Sequence, residues 1–230
     1  MERSLFIWDF DGLIAYTPHE EAWAEACKIY GIEGFDHDFY NNYVSGLPRY
    51  LGSKNILEKL NYFSKHNVKD MESIIKDFAE LKTEIYLNMI KERKYLLNYS
   101  VINFILESKK LKILQALASA SHNVLEIANR EEVKPGMKLI ELFDINVSGK
   151  GKTKEEIFKL AISEGKKRCN PLKYILVFED SPSGIKAAKS LGCIAIGCFN
   201  EKLKSQAPDL IVYDFSSLKV EELYKALNIL

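Results

Sequence analysis

The chain has 230 residues, of which 47% are hydrophobic and 28% are charged, and this balance is typical of a globular protein rather than a disordered or collagen-like one. Its 32 basic and 32 acidic residues cancel to a formal charge of zero, whereas a protein that binds the phosphate backbone of a nucleic acid normally carries a basic excess. No apolar run reaches the roughly 20 residues that are needed to cross a bilayer. We therefore expect no nucleic-acid partner and no membrane segment.

The cysteine pattern bears on metal binding and on the redox environment. The four cysteines are Cys27, Cys169, Cys193 and Cys198, and no two of them form a Cys-x-x-Cys pair, which speaks against a zinc knuckle or a thioredoxin-like motif. The first residues show no signal-peptide pattern. We expect reduced cysteines and a cytoplasmic location.

The first predicted elements are a strand and a long helical segment. Residues 4–8 form an apolar run that ends abruptly in Asp9-Phe10-Asp11-Gly12, which is typical of a buried strand that enters a loop. From residue 18 to about residue 94, apolar residues recur at helical spacing with no strong strand between them, and this pattern predicts a segment made of helices.

Beyond residue 97, short apolar runs alternate with helical patterns. The predicted strands cover residues 112–118, 145–148, 174–178, 193–197 and 210–212, and the predicted helices cover 123–129, 153–164, a segment that ends at 191, and a segment near the C-terminus. Such alternation favours a parallel, doubly wound sheet. We therefore predict an α/β protein whose Rossmann-like parallel-sheet core consists of residues 1–15 and 96–230, with an all-helical domain inserted as residues 16–95.

Polar side chains follow three of the predicted core strands. They are Asp9 and Asp11 after strand 4–8, Ser119 and Ser121 after strand 112–118, and Glu179 and Asp180 after strand 174–178. Because ligands of open parallel sheets bind at the carboxyl ends of the strands, we expect these side chains to form one site.

The acidic residues of this expected site suggest a metal ion and phosphoryl transfer. Carboxylates that lie close together either raise a pKa or recruit a cation, and oxygen ligands without His or Cys favour a hard ion such as Mg²⁺. A carboxylate is also a workable nucleophile toward phosphorus, and the transferred group needs fixed donors. Ser119 supplies a hydroxyl, and Lys152 supplies a cation, with Lys150 and Lys154 as neighbouring alternatives.

Four segments in this order resemble the four motifs of the haloacid dehalogenase superfamily, and the likeness spans nearly the whole chain. They are Asp9-Phe10-Asp11-Gly12-Leu13, then Leu117-Ala118-Ser119-Ala120-Ser121, then Lys152 ahead of Glu156-Ile157-Phe158, then Glu179-Asp180-Ser181-Pro182-Ser183-Gly184-Ile185. The resemblance implies a Mg²⁺-dependent enzyme with a Rossmann-like core and a mobile helical cap. A match of four ordered motifs is far more specific than any one of them.

The resemblance also implies a role for each motif residue. Asp9 is the nucleophile, Asp11 is the general acid and base, and Ser119 and Lys152 bind the transferred phosphate. Asp9, the carbonyl of Asp11, Asp180 and Glu179 surround Mg²⁺, although Glu179 alternatively supports the ligands without binding the ion.

The inserted helices resemble the cap of the branch that contains β-phosphoglucomutase and its phosphatase relatives. The matching pieces are residues 17–23, residues 44–49, and Lys82 ahead of residues 86–90. The implied substrate-binding residues are Thr17, His19, Arg49, Lys82, Ser121, His122 and Asn123. His122 stands where the mutase has a lysine, and the segment before Trp23 is two residues short, which leaves the position of His19 open.

We predict a phosphatase that hydrolyses a small phosphorylated metabolite, such as a sugar phosphate or a phosphoglycolate-like compound, as a monomer or homodimer. The alternative is a β-phosphoglucomutase, which Arg49 and Lys82 favour and which the short segment before Trp23 disfavours. A third hypothesis is a non-catalytic binding protein on the same fold. The intact acidic set argues against it.

Overall fold

The structure, a computed structural model, describes residues 3–229. The chain forms two compact units, a core unit of Met1–Tyr16 with Leu96–Leu230 and a helical unit of Thr17–Tyr95. Residues 1, 2 and 230 of the predicted core domain lie outside the described residues. Among residues 3–229, no helix combines the length and the apolar character that crossing a membrane requires.

Ten strands and ten α-helices make up the described chain. The strands are β1 (Ser4–Trp8), β2 (Ala15–Tyr16), β3 (Leu96–Leu97), β4 (Leu114–Leu117), β5 (Glu132–Lys134), β6 (Met137–Lys138), β7 (Ile145–Asn146), β8 (Tyr174–Glu179), β9 (Ile194–Cys198) and β10 (Leu210–Val212). The helices are α1 (His19–Ile29), α2 (His37–Tyr43), α3 (Arg49–Lys59), α4 (Tyr62–His66), α5 (Met71–Lys91), α6 (Tyr99–Lys110), α7 (Val124–Arg130), α8 (Lys154–Arg168), α9 (Pro182–Ser190) and α10 (Val220–Ala226).

The core unit is built on a six-stranded sheet in the order β10-β9-β8-β1-β4-β7. Every pairing within it is parallel, and Ile7 of the inner strand β1 lies between Ala116 of β4 and Val177 of β8. All five residues of β1 are buried, as expected for a parallel strand with helices on both faces of its sheet. The predicted fold class, an α/β protein with a parallel-sheet core, is confirmed.

The two faces of β1 pack against different partners. Leu5 and Ile7 belong to a hydrophobic cluster that includes Phe158 of α8, whereas the Trp8 ring stacks on Phe178 with 3.9 Å between ring centroids. Because apolar burial dominates the stability of such a core, β1 and the residues that follow it are held in a fixed position.

The helical unit contains α1 to α5. Its longest helix, α5, packs against α1 and α3, and its core includes Trp23, Ile56, Leu57 and Phe78. The prediction that this segment is made of helices is confirmed.

Several elements differ from the sequence-based prediction. No element is predicted between residues 97 and 112, where the structure has α6, and none is predicted at the antiparallel hairpin β5–β6. Helix α6 begins after Asn98, an ordinary N-cap residue whose side chain accepts a hydrogen bond from the Val101 N–H.

Candidate active site

A buried lysine between two buried carboxylates forms the centre of the site. Asp9 follows β1, and its backbone N–H donates to the carbonyl of Phe178 on the neighbouring strand at 3.1 Å. The Lys154 Nζ lies 2.6 Å from Asp9 Oδ1 and 2.6 Å from Glu179 Oε1, and the three side chains are 7%, 6% and 0% exposed, respectively. Opposite charges buried this closely hold one another in place.

The lysine at this cluster is Lys154, one of the two neighbouring alternatives to the predicted Lys152. Thr153 is the N-cap of α8, with its hydroxyl accepting from the Glu156 N–H, so Lys154 is the first residue of the helix. Lys152 precedes the cap and is exposed, and its backbone N–H donates to Glu156 Oε2 at 2.7 Å.

The sequence does contain a signal for Lys154. It begins a buried stripe on α8 that continues through Ile157, Phe158 and Ala161, which is the spacing of one helix face. Thr153 and Glu156 form a capping pattern that starts the helix at residue 154. Together, these two observations place Lys154 on the core-facing side of the first turn.

Glu179 is fixed by hydrogen bonds to both of its carboxylate oxygens. Oε1 accepts from Lys154, while Oε2 accepts from the Ser181 N–H at 3.2 Å and from the Ser181 hydroxyl at 2.8 Å. Ser181 is also the N-cap of α9, where its Oγ accepts from the Gly184 N–H. A Cβ at Gly184 would come within 2.0 Å of the Glu179 carboxyl carbon, so a glycine is required for this close packing.

Asp180 lies against the loop that follows β1. The Asn200 side chain donates to its backbone carbonyl at 3.2 Å. Gly12 has a φ of +77°, and a Cβ there would lie 1.9 Å from Asp180 Oδ2. Gly12 therefore satisfies a positive φ and also makes room for a carboxylate.

The charge balance of the cluster shifts three pKa values. Burial raises the pKa of Asp9 from 3.8 to about 7, with the charge of Glu179 adding to the rise and Lys154 opposing it. Burial and the charges of Asp9 and Glu179 also raise the pKa of Asp180 well above its ordinary value. Burial lowers the pKa of Lys154, but the two neighbouring carboxylates outweigh it, so this pKa is raised and the lysine stays charged.

This donor set fits a hard divalent cation. Asp9, Glu179 and Asp180 each offer a carboxylate oxygen, and these oxygens lie within 4.8 Å of one another. Among residues 3–229, Asp9 Oδ1 has an ion pair with Lys154 but no hydrogen-bond partner. Three acidic side chains against one lysine leave an excess of negative charge, and all-oxygen ligands of this kind match Mg²⁺.

Asp11 and Ser119 meet at the ends of β1 and β4. The Ser119 hydroxyl donates to Asp11 Oδ2 at 3.3 Å and accepts from the Ser121 N–H at 3.0 Å. The loop after β7 packs alongside, since the Ser119 N–H donates to Ser148 Oγ and the Gly149 N–H donates to the Ser119 carbonyl. The predicted meeting of Asp11 with Ser119 is thus observed.

The remaining polar residues of the core unit follow Ser119. The Asn123 N–H donates to Ser121 Oγ at 3.1 Å. The exposed His122 ring rests on Gly149, where an added Cβ would come within 2.4 Å of it.

In the helical unit, Lys82 and His19 are in contact. The Lys82 Nζ lies 2.6 Å from His19 Nδ1, although 63 residues separate them in sequence. The ammonium also lies 5.2 Å from the Trp23 ring centroid and 4.8 Å from that of Tyr86, and the His19 ring stacks on Tyr86 at 4.2 Å. The His19 N–H donates to the carbonyl of Thr17 at the start of α1.

Arg49 is the first residue of α3 and is exposed. Its Nη1 donates to Thr83 Oγ1 at 3.2 Å, and its Nη2 donates to the Tyr50 hydroxyl at 3.0 Å. Thr83 and Tyr50 are contacts of Arg49 that the sequence analysis does not single out, and Lys154 is named there only as an alternative to Lys152.

Comparison with known proteins yields likenesses that cover both units. No family model matches the chain. It is 41% identical to an archaeal β-phosphoglucomutase from Pyrococcus sp. strain ST 04, with a TM-score of 0.85 over 98% of this chain and 99% of that one. A β-phosphoglucomutase from Clostridium difficile is 26% identical, with a TM-score of 0.77 over 97% and 96%. A phosphorylated carbohydrates phosphatase from Thermotoga maritima is 28% identical over 194 residues, which are 81% of this chain and 80% of that protein.

Proposed function

The chain belongs to the haloacid dehalogenase superfamily, in the branch of β-phosphoglucomutase and its phosphatase relatives, and on this premise we propose that it is a cytoplasmic, Mg²⁺-dependent phosphatase of phosphorylated sugars. The predicted family and enzyme class are confirmed by the likenesses just described. The observation that supports the reaction is Asp9, a buried carboxylate at the end of a central strand, whose Oδ1 lies 2.6 Å from the Lys154 ammonium.

In the first step, an Asp9 carboxylate oxygen attacks phosphorus. A new bond forms between this oxygen and phosphorus, the bond from phosphorus to the sugar oxygen breaks, and Asp11 gives its proton to the departing oxygen. The Ser119 hydroxyl, which donates to Asp11 Oδ2, orients this acid. The sugar leaves with a free hydroxyl, and Asp9 carries the phosphoryl group.

In the second step, the aspartyl-phosphate is hydrolysed. Asp11, now a carboxylate, takes a proton from water while the water oxygen bonds to phosphorus, and the bond from phosphorus to Asp9 breaks. Inorganic phosphate leaves, and both aspartates return to their starting protonation states. One residue thus serves first as acid and then as base.

Lys154 and the acidic residues set the electrostatics of these steps. Lys154 takes the role that the sequence analysis gave to Lys152: it compensates Asp9 and Glu179 and lies beside the oxygens of the transferred group. Asp9, Asp180 and the carbonyl of Asp11 would hold Mg²⁺, which when bound offsets the negative charge of the carboxylates and the phosphate. Glu179, whose two oxygens are already hydrogen-bonded, is proposed to hold Lys154 in place.

We assign recognition of the untransferred part of the substrate to two groups of residues. The loop after β4 contributes Ser121, His122 and Asn123, and the helical unit contributes Thr17, His19, Arg49 and Lys82. Cationic and hydroxyl side chains of this kind suit a phosphorylated, hydroxyl-rich ligand.

The test is phosphate release by the purified protein from a panel of sugar phosphates, with MgCl₂ or with EDTA. We expect release from at least one sugar phosphate, loss of that release in EDTA, and recovery when Mg²⁺ is added in excess. A folded protein that releases phosphate from no panel member, in the presence of Mg²⁺, would contradict the proposal.

A second candidate is β-phosphoglucomutase, in which a sugar hydroxyl replaces water in the second step. The contact of His19 with Lys82 favours it, because the short segment before Trp23 does not prevent His19 from reaching the lysine. With β-glucose 1-phosphate and a trace of the 1,6-bisphosphate, a mutase forms glucose 6-phosphate faster than free phosphate. A phosphatase shows the reverse order.

A further inference from the structure

We propose that Thr83 and Tyr50 are positioning residues that set this enzyme's preference for substrates with a second phosphate, because they hold the Arg49 guanidinium in one orientation. The inference rests on the proposed function, specifically on the assignment of Arg49 to the untransferred part of the substrate. It concerns two side chains that do not themselves touch the reacting atoms.

The hydroxyl of Thr83 has a defined direction. It donates its single proton to the carbonyl of Ala79, one turn earlier on α5, at 2.9 Å. Its lone pairs are therefore available to Arg49 Nη1, which donates to the same oxygen at 3.2 Å. A half-buried hydroxyl that is fixed by its own helix provides a rigid anchor for a long, exposed side chain.

Tyr50 holds the other terminal nitrogen. Its hydroxyl accepts from Arg49 Nη2 at 3.0 Å, and the guanidinium carbon lies 4.8 Å from the centroid of its ring. Two oxygens on different helices, α3 and α5, thus hold the two arms of one planar group. An exposed arginine otherwise samples many rotamers and loses that freedom on binding.

Both partners are neutral, and this matters for anion binding. No carboxylate among the described residues lies within ion-pair distance of Arg49, so its contacts are the two hydroxyls and the Tyr50 ring. A carboxylate partner would orient the guanidinium but would also neutralise it. Hydroxyls orient it while leaving its full charge and its remaining N–H donors for a phosphate, which a guanidinium binds in a forked geometry.

The arrangement also assigns two functions to adjacent residues of one helix. On α5, Lys82 contacts His19 and the next residue, Thr83, contacts Arg49. The rigid helix α5 therefore fixes the partners of both His19 and Arg49.

The experiment compares two phosphate donors, β-glucose 1,6-bisphosphate and p-nitrophenyl phosphate, the second of which has no other anionic group. The readout is the ratio of their kcat/KM values in wild type, T83V, T83S, Y50F and R49A. Thr83→Val keeps the shape of the side chain, and Tyr50→Phe keeps the ring. We expect T83V and Y50F each to lower the ratio about three- to tenfold, mainly through the KM of the bisphosphate, because each loses one side-chain hydrogen bond.

Rescue distinguishes positioning from a merely structural role. T83S restores the hydroxyl and should bring the ratio back to within about twofold of wild type. A structural role would lower kcat/KM for both donors alike and leave their ratio unchanged, and that result would overturn the inference.

The remaining outcomes separate this inference from the proposed function. If wild type consumes neither donor but releases phosphate from another sugar phosphate of the panel, the proposed function stands and the inference is overturned. If it releases phosphate from none, the proposed function fails, and the inference falls with it. If R49A leaves the ratio unchanged, Arg49 does not bind the second phosphate and the inference is again overturned. If R49A lowers the ratio of the two kcat/KM values strongly while T83V and Y50F leave it unchanged, the proposed function stands and only the inference is wrong.

Discussion

In residues 3–229, each of the two units buries one lysine, and the two environments are different. In the core unit, Lys154 lies between the carboxylates of Asp9 and Glu179, whereas in the helical unit the 4% exposed Lys82 lies against an imidazole and two aromatic rings. The first lysine is required by the charges around it. The second lysine contacts neutral rings and an imidazole, which bind a cation less strongly than two buried carboxylates do. We therefore expect substitution of Lys154 to disturb the fold more, and substitution of Lys82 to disturb binding more.

The largest expected effect is on the chemistry of the core unit. Asp9→Asn should lower turnover at least about a thousandfold, because an amide is not a nucleophile toward phosphorus. The fold should persist, since the amide has nearly the shape of the carboxylate. Phosphate release and circular dichroism of the same preparation check both statements. Appreciable turnover by the variant would contradict the assignment of the nucleophile.

Lys154→Met tests the charge balance directly. Removing the lysine leaves two buried carboxylates without their cation, so we expect a loss of about 3–5 kcal/mol in the free energy of unfolding and a loss of at least about a hundredfold in turnover. Lys152→Met is the matched control, and it should change the free energy of unfolding by no more than about 0.5 kcal/mol.

Urea unfolding and phosphate release of both lysine variants give the answer. Equal effects of the two substitutions would restore Lys152 as a candidate and remove the role proposed for Lys154.

The pH dependence of stability follows from the same cluster. In EDTA, burial raises the pKa of folded Asp9 from 3.8 to about 7. At a pH between these two values, Asp9 therefore holds a proton in the folded protein but has lost it in the unfolded chain. The unfolded state then binds fewer protons, so the free energy of unfolding falls as the pH rises through this window. Asp180, whose pKa is raised by burial and by the same neighbours, contributes in the same direction.

Urea unfolding in EDTA at about pH 5 and about pH 7.5 measures this slope. Asp9→Asn should show a shallower fall, because it lacks one of the two groups. An identical slope in wild type and variant would show that Asp9 does not titrate in this range.

The smallest expected effect on stability is that of Lys82→Met. Methionine retains the packing of the lysine stem against Trp23 and Tyr86, so we expect a change of at most about 1.5 kcal/mol. Binding of the sugar phosphate should weaken more than this, about tenfold, since His19 loses the ammonium beside Nδ1. Calorimetric unfolding and the KM of the best substrate separate the two effects. A destabilisation as large as that of Lys154→Met would mean that the two buried lysines are equivalent.

The residues that sequence reasoning located correctly in space are those tied to strand ends. Asp9, Asp11 and Ser119 each follow a short apolar run, and parallel pairing brings the ends of such runs to one edge of the sheet. This constraint needs only that the strands run parallel, because all their carboxyl ends then lie at the same edge of the sheet. It therefore survives errors of two or three residues in predicted strand boundaries.

The contacts that sequence reasoning missed depend on helix rotation and on packing between distant segments. Lys152 and Lys154 differ by two residues, which decides between the loop before α8 and its buried face. Likewise, the pairing of Arg49 with Thr83 depends on how α3 and α5 pack against each other. Hydrophobic spacing alone determines neither the rotation of α8 about its axis nor the angle at which α3 packs against α5.

The short antiparallel pair β2–β3 has a consequence for how such enzymes diversify. Ala15 pairs with Leu97 and Tyr16 with Leu96, so the chain leaves and re-enters the core unit at cross-strand neighbours whose Cα atoms lie about 5 Å apart. A two-residue turn spans that gap. Recombination points at codons 16 and 96 would therefore exchange the whole of residues 17–95, including Thr17, His19, Arg49 and Lys82, which we propose to contact the substrate. The codons for Asp9, Ser119, Lys154 and Glu179 would be unaltered.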